Sequence, residues 1–250
     1  EILDLSKIES GKMTLNEDTY DISVVLHKIY NMAYVRAKQK ELDVYVSVDE
    51  NIHLLLYGDD GKVEQVLINL LSNAIKYTKE GSITLKVTKT SVEENRESIR
   101  FEITDTGIGI KPEDMEKLFG EYERLDEVRN KGVEGTGLGM SITKALLELM
   151  GSTLCVKSEY GKGSTFSFEI TQNIMSDELI GSLRERIEKR EVKEAQTLEL
   201  KAKDAKILVV DDNVGIRGAL RVFLPLHFTD VELIPSPKEF MSKIREFQPN

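Results

Sequence analysis

Two asparagines four residues apart in an apolar helical pattern, with three glycine motifs downstream of them, are the parts of this sequence whose residue types and spacing could do chemistry. Asn69 and Asn73 lie in QVLINLLSNAIKYT, where four-residue spacing puts both amides on one helix face and Lys76 and Tyr77 follow a turn later. The glycine motifs come in order: DTGIGI at 105–110, GTGLGM at 135–140 and GKGST at 161–165. Paired asparagines alone read as amides bonded to nearby backbone. Joined to these motifs in this order, they point to a site that holds a nucleotide.

Each piece has a physical job there. Asp105 ends a strand-like run just before Gly107, so its carboxylate can accept an adenine amino hydrogen while the glycine lets backbone approach the base. A hydrogen bond of that charged kind is worth about 1.5–3 kcal/mol. Gly135, Gly137 and Gly139 lead directly into a helical pattern, whose free amides and positive dipole end form a seat for phosphate. A dinucleotide fingerprint is the competing reading, but the spacing is G-x-G-x-G and a loop, not a strand, precedes it. An amide oxygen from Asn73 plus phosphate oxygens would suit Mg2+, which prefers oxygen ligands and keeps several waters. Lys76, Arg124 and Lys131 are candidates for the local positive charge.

The elements that must position these groups follow from periodicity. EILDLSKIESGKMTL reads as a helix end with Ile2, Leu3, Leu5 and Ile8 apolar and a stop at Gly11. Asp21 caps a second helix carrying Ile22, Val25, Leu26, Ile29, Met32 and Ala33, and Leu42, Val44, Val46 and Val48 alternate as a strand. A third helix is expected from Asp60 to Tyr77, on Val63, Val66, Leu67, Leu70, Leu71, Ala74 and Ile75. Strands near Ser82 to Thr90 and Ser98 to Thr104 form an antiparallel hairpin through EENRE. A long loop runs from Asp105 to Gly139, then a helix from about Met140 to Met150, and strands near Ser152 to Ser158 and Ser164 to Ile170. Helices and antiparallel strands alternating in blocks predict a two-layer α+β domain. Residues 173–204 are a charged, partly helical linker with Leu179, Leu183 and Ile187 on a stripe. KILVVDD then opens a second domain with a parallel-type strand, followed by a helical pattern from Val214 to Leu224.

Composition narrows the function classes. A net charge of −10 over 250 residues disfavours nonspecific nucleic-acid binding, which needs a basic surface to displace counterions. No apolar run approaches the roughly 20 residues that cross a bilayer, and no signal peptide opens the chain, so no membrane contact by this piece is expected. The lone cysteine, Cys155, sits in an apolar stretch and reads as a buried thiol in a reducing, cytoplasmic setting.

Several of these stretches resemble the boxes of sensor histidine kinases. QVLINLLSNAIKYT resembles the N box, DTGIGI the G1 box, KLFGEYERLD the F box, GTGLGMSI the G2 box and GKGST the G3 box, a match over about Asp21 to Thr171. The F box departs from the usual pattern, with Gly120, Glu121 and Tyr122 where proline and phenylalanine are common. The resemblance implies a two-layer helix/mixed-sheet sandwich, the Bergerat or GHKL ATP-binding fold, with a lid between G1 and G2. It implies ATP and Mg2+ as cofactors: Asn73 on the metal, Asn69 beside it, Lys76 and Tyr77 approaching the nucleotide, Asp105 reading adenine, and Gly135, Gly137 and Gly139 around the phosphates. Gly107, Gly109, Ile110, Arg124, Thr136, Leu138 and Thr165 complete the nucleotide set, and Asn69, Asn73 and Lys76 are the candidate catalytic residues.

The same resemblance divides the chain. Residues 1–18 look like the end of a dimerisation and phosphoacceptor helical domain, 19–172 like the ATP-binding catalytic domain, and 173–204 like the linker. Residues 205–250 look like the start of an α/β flavodoxin-like receiver domain, with Asp211 and Asp212 as its magnesium pair. Neither His27, His53 nor His227 has the His-Glu/Asp-x-x-x-x-Pro surroundings of the phosphoacceptor, so this piece is not expected to autophosphorylate. Both acceptors are expected on a phosphoacceptor-histidine helical domain and a receiver of the same or a cognate protein, the parent being a homodimer. The rival readings are an ATP-hydrolysing switch of the gyrase or chaperone type and a non-enzymatic ATP-binding regulator. The first carries a glutamate to activate water where Asn69 stands, and an amide is a poor general base. The second would have lost Asn73, Asp105 or the G2 glycines, all of which are present.

Overall fold

The computed structural model describes residues 10–115, 117–119, 138–189, 206–210, 224, 230–234 and 244. Ile2, Leu3, Leu5 and Ile8 of the expected opening helix, most of the 105–139 loop beyond Met115, and the expected Val214–Leu224 helix except its last residue lie outside the described residues. The chain divides into two compact units, Glu1–Leu183 and Arg184–Asn250.

The first unit is a seven-stranded mixed sheet with helices on one face. Along the chain come β1 (Asp18–Asp21), α1 (Ile22–Lys38), β2 (Asp43–Val48), β3 (Leu55–Gly58), α2 (Asp60–Tyr77), β4 (Ser82–Glu93) and β5 (Arg96–Asp105). Two 3-10 turns, Pro112–Asp114 and Lys117–Phe119, precede α3 (Gly139–Leu149), β6 (Cys155–Glu159) and β7 (Gly163–Ile174). The strand order is β1-β3-β7-β5-β4-β2, with β6 on β7; β2 and β4 are parallel and the remaining pairs antiparallel.

The central hairpin sets the inside and outside of the sheet. In register, Ile103 of β5 lies between Leu85 of β4 and Phe166 of β7, and Phe101 between Val87 and Phe168. These side chains are nearly fully buried, and the Phe101 and Phe168 rings stack with centroids 4.9 Å apart. Because strand side chains alternate with period two, the intervening residues Arg100, Glu102 and Thr104 face the other, more exposed side. The helices cover only the apolar face. Asp21 caps α1 by accepting from the Ser23 amide at 2.8 Å, and Asp59 caps α2 by accepting from the Lys62 amide at 2.9 Å. Lys40 Nζ, just after α1, donates to the carbonyls of Ile75 at 2.8 Å and Lys76 at 3.1 Å, closing the C-terminal end of α2.

Three sequence expectations change. β1 and β3, absent from the periodicity reading, are four residues each, too short to show an alternation. Cys155 is exposed, not buried: β6 is an edge strand whose Cys155, Lys157 and Glu159 face solvent while Val156 packs on the core. The catalytic unit also runs past residue 172. β7 continues to Ile174, and the following segment returns against the 50–54 loop through Glu178 O accepting from Leu54 N at 2.7 Å and Ile180 N donating to Ile52 O at 2.7 Å. Ile180 is fully buried, so residues 173–183 are tied into this unit and not free linker, with a helical stretch over 183–189. Nearby, the fully buried Glu97 is met by the backbone N–H and Nδ1 of His53 and by Lys89 Nζ at 3.0, 3.2 and 3.5 Å.

In the second unit, β8 (Lys206–Val210) and β9 (Asp230–Ile234) pair in parallel. Among the described residues of both units, no helix is long and apolar enough to cross a membrane.

Leu67 is fully buried on the α2 stripe. Leu67→Ala is expected to cost about 2–5 kcal/mol of stability, read as a lower urea midpoint with unchanged slope.

Candidate functional site

The candidate residues converge where α2, α3 and the ends of β5 and β7 meet. Asn69 projects from α2 onto the start of α3: its Nδ2 donates to the Gly139 carbonyl and to Thr143 Oγ1, both at 2.6 Å. Both amide hydrogens are thereby used, and Oδ1 takes no hydrogen bond among the described residues. A Cβ on Gly139 would stand 2.4 Å from Asn69 Oδ1, so a larger residue there would displace the Asn69 side chain from its contacts. Four residues on, Asn73 Nδ2 lies 3.3 Å from Met140 Sδ, a weak acceptor, and its Oδ1 is also without a protein partner among the described residues. Lys76 Nζ sits 5.0 Å from the centre of the Tyr77 ring.

Asp105 owes its setting to register. It is the next core-facing residue of β5 after Ile99, Phe101 and Ile103, so alternation places a carboxylate at the end of an apolar row, 6% exposed. The Gly107 amide donates to its Oδ1 at 2.9 Å, and the backbone of Ser164 also donates to it. Burial nonetheless dominates and holds its pKa above the ordinary aspartate value of 3.8. Gly107 is required by crowding: a Cβ there would meet Tyr77 O at 2.5 Å and Asp105 Oδ1 at 2.8 Å. The turn beyond is pinned by Ile108 N on Tyr77 O at 3.3 Å and Ile110 N on Ser158 Oγ at 2.7 Å, with Gly109 in a left-handed conformation between them.

Leu138 is buried at the start of α3, which has no side-chain cap. No side chain at the N-cap position occupies its first amides, as an anion seat requires. Arg124, Lys131, Gly135, Thr136 and Gly137, with Asp211 and Asp212 of the second unit, lie outside the described residues. Thr165 is not brought to this group: it pairs with Thr104, and their hydroxyls meet at 3.0 Å on the sheet face opposite Asp105. Its neighbour Ser164, 7% exposed and directly across from Asp105, takes that position. Counting back by twos from Phe168 and Phe166 would have found Ser164. Thr143, with its hydroxyl on Asn69, was also missed, because a threonine inside an amphipathic helix gives no signal until the facing helix is known. Among the described residues no group of three or more His, Cys, Asp or Glu side chains is placed to hold a metal, so a cation here would rest on the Asn73 oxygen and on ligand oxygens.

Fold and site together define a nucleotide-binding domain of the helix-on-sheet kind. Residues 58–174 match the profile of the histidine kinase-, DNA gyrase B- and HSP90-like ATPase family and belong to it. The chain is 39% identical over 170 residues to hybrid signal transduction histidine kinase B of Dictyostelium discoideum, covering 68% of this chain and 9% of that protein. It is 33% identical over 244 residues to peroxide stress-activated histidine kinase mak2 of Schizosaccharomyces pombe, covering 96% of this chain and 10% of that protein. The chain thus spans about a tenth of the length of these relatives. Among solved structures, full-length ShkA in complex with AMPPNP shares the fold at a TM-score of 0.60 and 20% identity, over 96% of this chain and 45% of that one.

The raised pKa of Asp105 has a testable sign. Between 3.8 and its higher native value the folded state binds more protons than the unfolded one, so stability falls as pH rises through that window and the loss persists above it. Asp105→Asn removes this descending limb; urea unfolding across pH should show the variant gaining on the parent as pH rises from 3.8, then a constant difference.

Proposed function

We propose that this domain binds Mg-ATP and presents its γ-phosphate to a histidine on a helical phosphoacceptor domain, from which a receiver aspartate takes the phosphoryl group. The observation that carries the proposal is the pair of amide oxygens, Asn69 Oδ1 and Asn73 Oδ1, that have no partner among the described residues and are held at the start of α3 while Asp105 lies buried at the strand ends. Asp105 accepts the adenine amino group, with Ser164 and Gly107 bracketing the base. Asn73 gives Mg2+ an amide oxygen, and the bound ion neutralises charge on the phosphates. The α3 N-terminus with Gly139, and the motif residues Gly135, Thr136 and Gly137, receive the phosphates. Lys76, Arg124 and Lys131 supply positive charge. Phosphoryl transfer needs alignment and charge neutralisation more than covalent help, which suits a domain whose site contains amides and backbone donors and no base on Asn69.

On this reading residues 1–18 end the dimerisation and phosphoacceptor region, the catalytic domain expected over 19–172 extends to Leu183, and the rest of the 173–204 stretch leads to a receiver domain begun at 205–250. The parallel pairing of β8 and β9 supports the last step, as does the alignment of the S. pombe relative over 96% of the chain. Asp211 and Asp212, directly after β8, are the proposed receiver magnesium pair. The partners are the phosphoacceptor-histidine and receiver domains of the same or a cognate protein, in a parent homodimer on the cytoplasmic side, where ATP is found. The charge of −10 argues against nucleic acid as a partner.

Calorimetric titration with ATP tests the site. With magnesium present, Asn73→Ala should weaken binding about tenfold or more, and in EDTA parent and variant should converge, because the lost ligand serves the ion. Asp105→Asn should weaken binding with or without magnesium, by roughly ten- to hundredfold, the size of a hydrogen bond to a charged group. Unchanged affinity in both variants would refute the assignment.

A further inference from the structure

Asp59 does more than cap. It is 7% exposed, and its two carboxylate oxygens are divided between distant parts of the chain: Oδ1 accepts from the Lys62 amide at 2.9 Å, Oδ2 from the Asn16 amide at 2.7 Å. A cap needs only one acceptor, and serine, threonine or asparagine would serve. The second oxygen ties α2 to a residue 43 positions earlier. The segment 12–17 has no helix or strand; Met13 and Leu15 are half-buried and the rest exposed, so its hold on the domain is thin. Beneath it lies a cavity of about 280 Å3, lined by Leu15, Glu17, Gly58, Asp59, Met150 and Ile170 among others. Asp59 marks the start of α2 and Met150 the end of α3. Asn69, near the middle of α2, makes its contacts to Gly139 and Thr143 in the first half of α3.

We propose that Asp59 is a positioning residue that couples nucleotide occupancy to the segment entering the catalytic domain at residues 12–17. The cavity leaves room for the segment and the two helix ends to shift, and the shared carboxylate passes that shift into the first turn of α2. From there α2 carries it to Asn69 and Asn73. Coupling of this kind is reciprocal: if nucleotide holds α2 against α3, it also orders the segment, and a displaced segment weakens nucleotide binding. The proposal rests on the nucleotide reading of the Asn69, Asn73 and Asp105 site.

Amide hydrogen exchange on the 250-residue chain, with and without AMPPNP and magnesium, tests it. In the parent, nucleotide should slow exchange both in 69–77 and in 12–17. Asp59→Asn keeps an oxygen for the Lys62 amide but sets an NH2 donor where Oδ2 accepts from Asn16; it should speed exchange at Asn16 about tenfold, as loss of one charge-assisted hydrogen bond implies. In that variant nucleotide should still protect 69–77 while no longer protecting 12–17. A purely structural cap would leave the nucleotide effect on 12–17 intact in Asp59→Asn, and that result overturns the proposal. So does a parent in which nucleotide protects 69–77 but not 12–17, an arm that decides the matter even if the variant does not fold. Absence of protection in 69–77 itself marks failure of the nucleotide reading, and the coupling falls with it.

Discussion

The register of β5 between β4 and β7 is the constraint on which the site depends. Ile99, Phe101 and Ile103 must face the helices for the core to close, and with a period of two Asp105 then has no choice of side. Slipping β5 by one residue would expose the apolar row and turn Asp105 outward. Burying the row therefore also buries the carboxylate. That arrangement costs stability, as the upward shift of its pKa indicates. The backbone amides of Gly107 and Ser164 offset part of the desolvation, and a preorganised acceptor remains at the sheet end.

The second constraint is the close crossing of α2 and α3. A single amide, Asn69, spends both hydrogens on α3, and Gly139 leaves room for its oxygen. Glycine usually weakens a helix, by about 0.5–1 kcal/mol relative to alanine. Here it lets the α3 backbone come within reach of the Asn69 side chain, so the helix start is held by a neighbouring helix in place of its own cap. The same approach brings Met140 to Asn73. Helix propensity is surrendered locally to a contact that fixes where the free amides of α3 point.

Much of this was legible from sequence where one strong period or one motif controls the outcome. The bounds of α2 follow from its apolar stripe, and Asn69 and Asn73 follow from their spacing on it. What escaped depends on pairing across the chain. β1 and β3 are recruited as short strands by the sheet edge and by β7, not by their own pattern. Cys155 looks apolar in its stretch, but whether an edge strand turns a given residue inward is set by its partner. Thr165 and Ser164 are adjacent and chemically alike; only the pairing of β7 with β5 tells which of them faces Asp105. Residues 173–183 read as charged linker because their attachment is made by backbone hydrogen bonds and one buried isoleucine, Ile180, which leave little trace in composition.

The distribution of charge within the site explains the residue types. Two like charges 4 Å apart repel by about 4 kcal/mol at an effective dielectric constant near 20. In a chain of net charge −10, carboxylates at the positions of Asn69 and Asn73 would add that repulsion against any phosphate seated at the start of α3. Neutral amides avoid it while keeping oxygen atoms available for a hard cation and hydrogens for the α3 backbone. Asp105, the one carboxylate among the described candidate residues, stands at the end of β5, apart from the α3 start where Asn69 and Asn73 make their contacts. If the nucleotide lies as proposed, a negative charge there meets the hydrogen-bond donors of the base and not the phosphates. On the proposed reading, the chain separates an acceptor for the base from donors for the phosphates by placing them on different secondary-structure elements, and the sheet register and helix crossing hold that separation fixed.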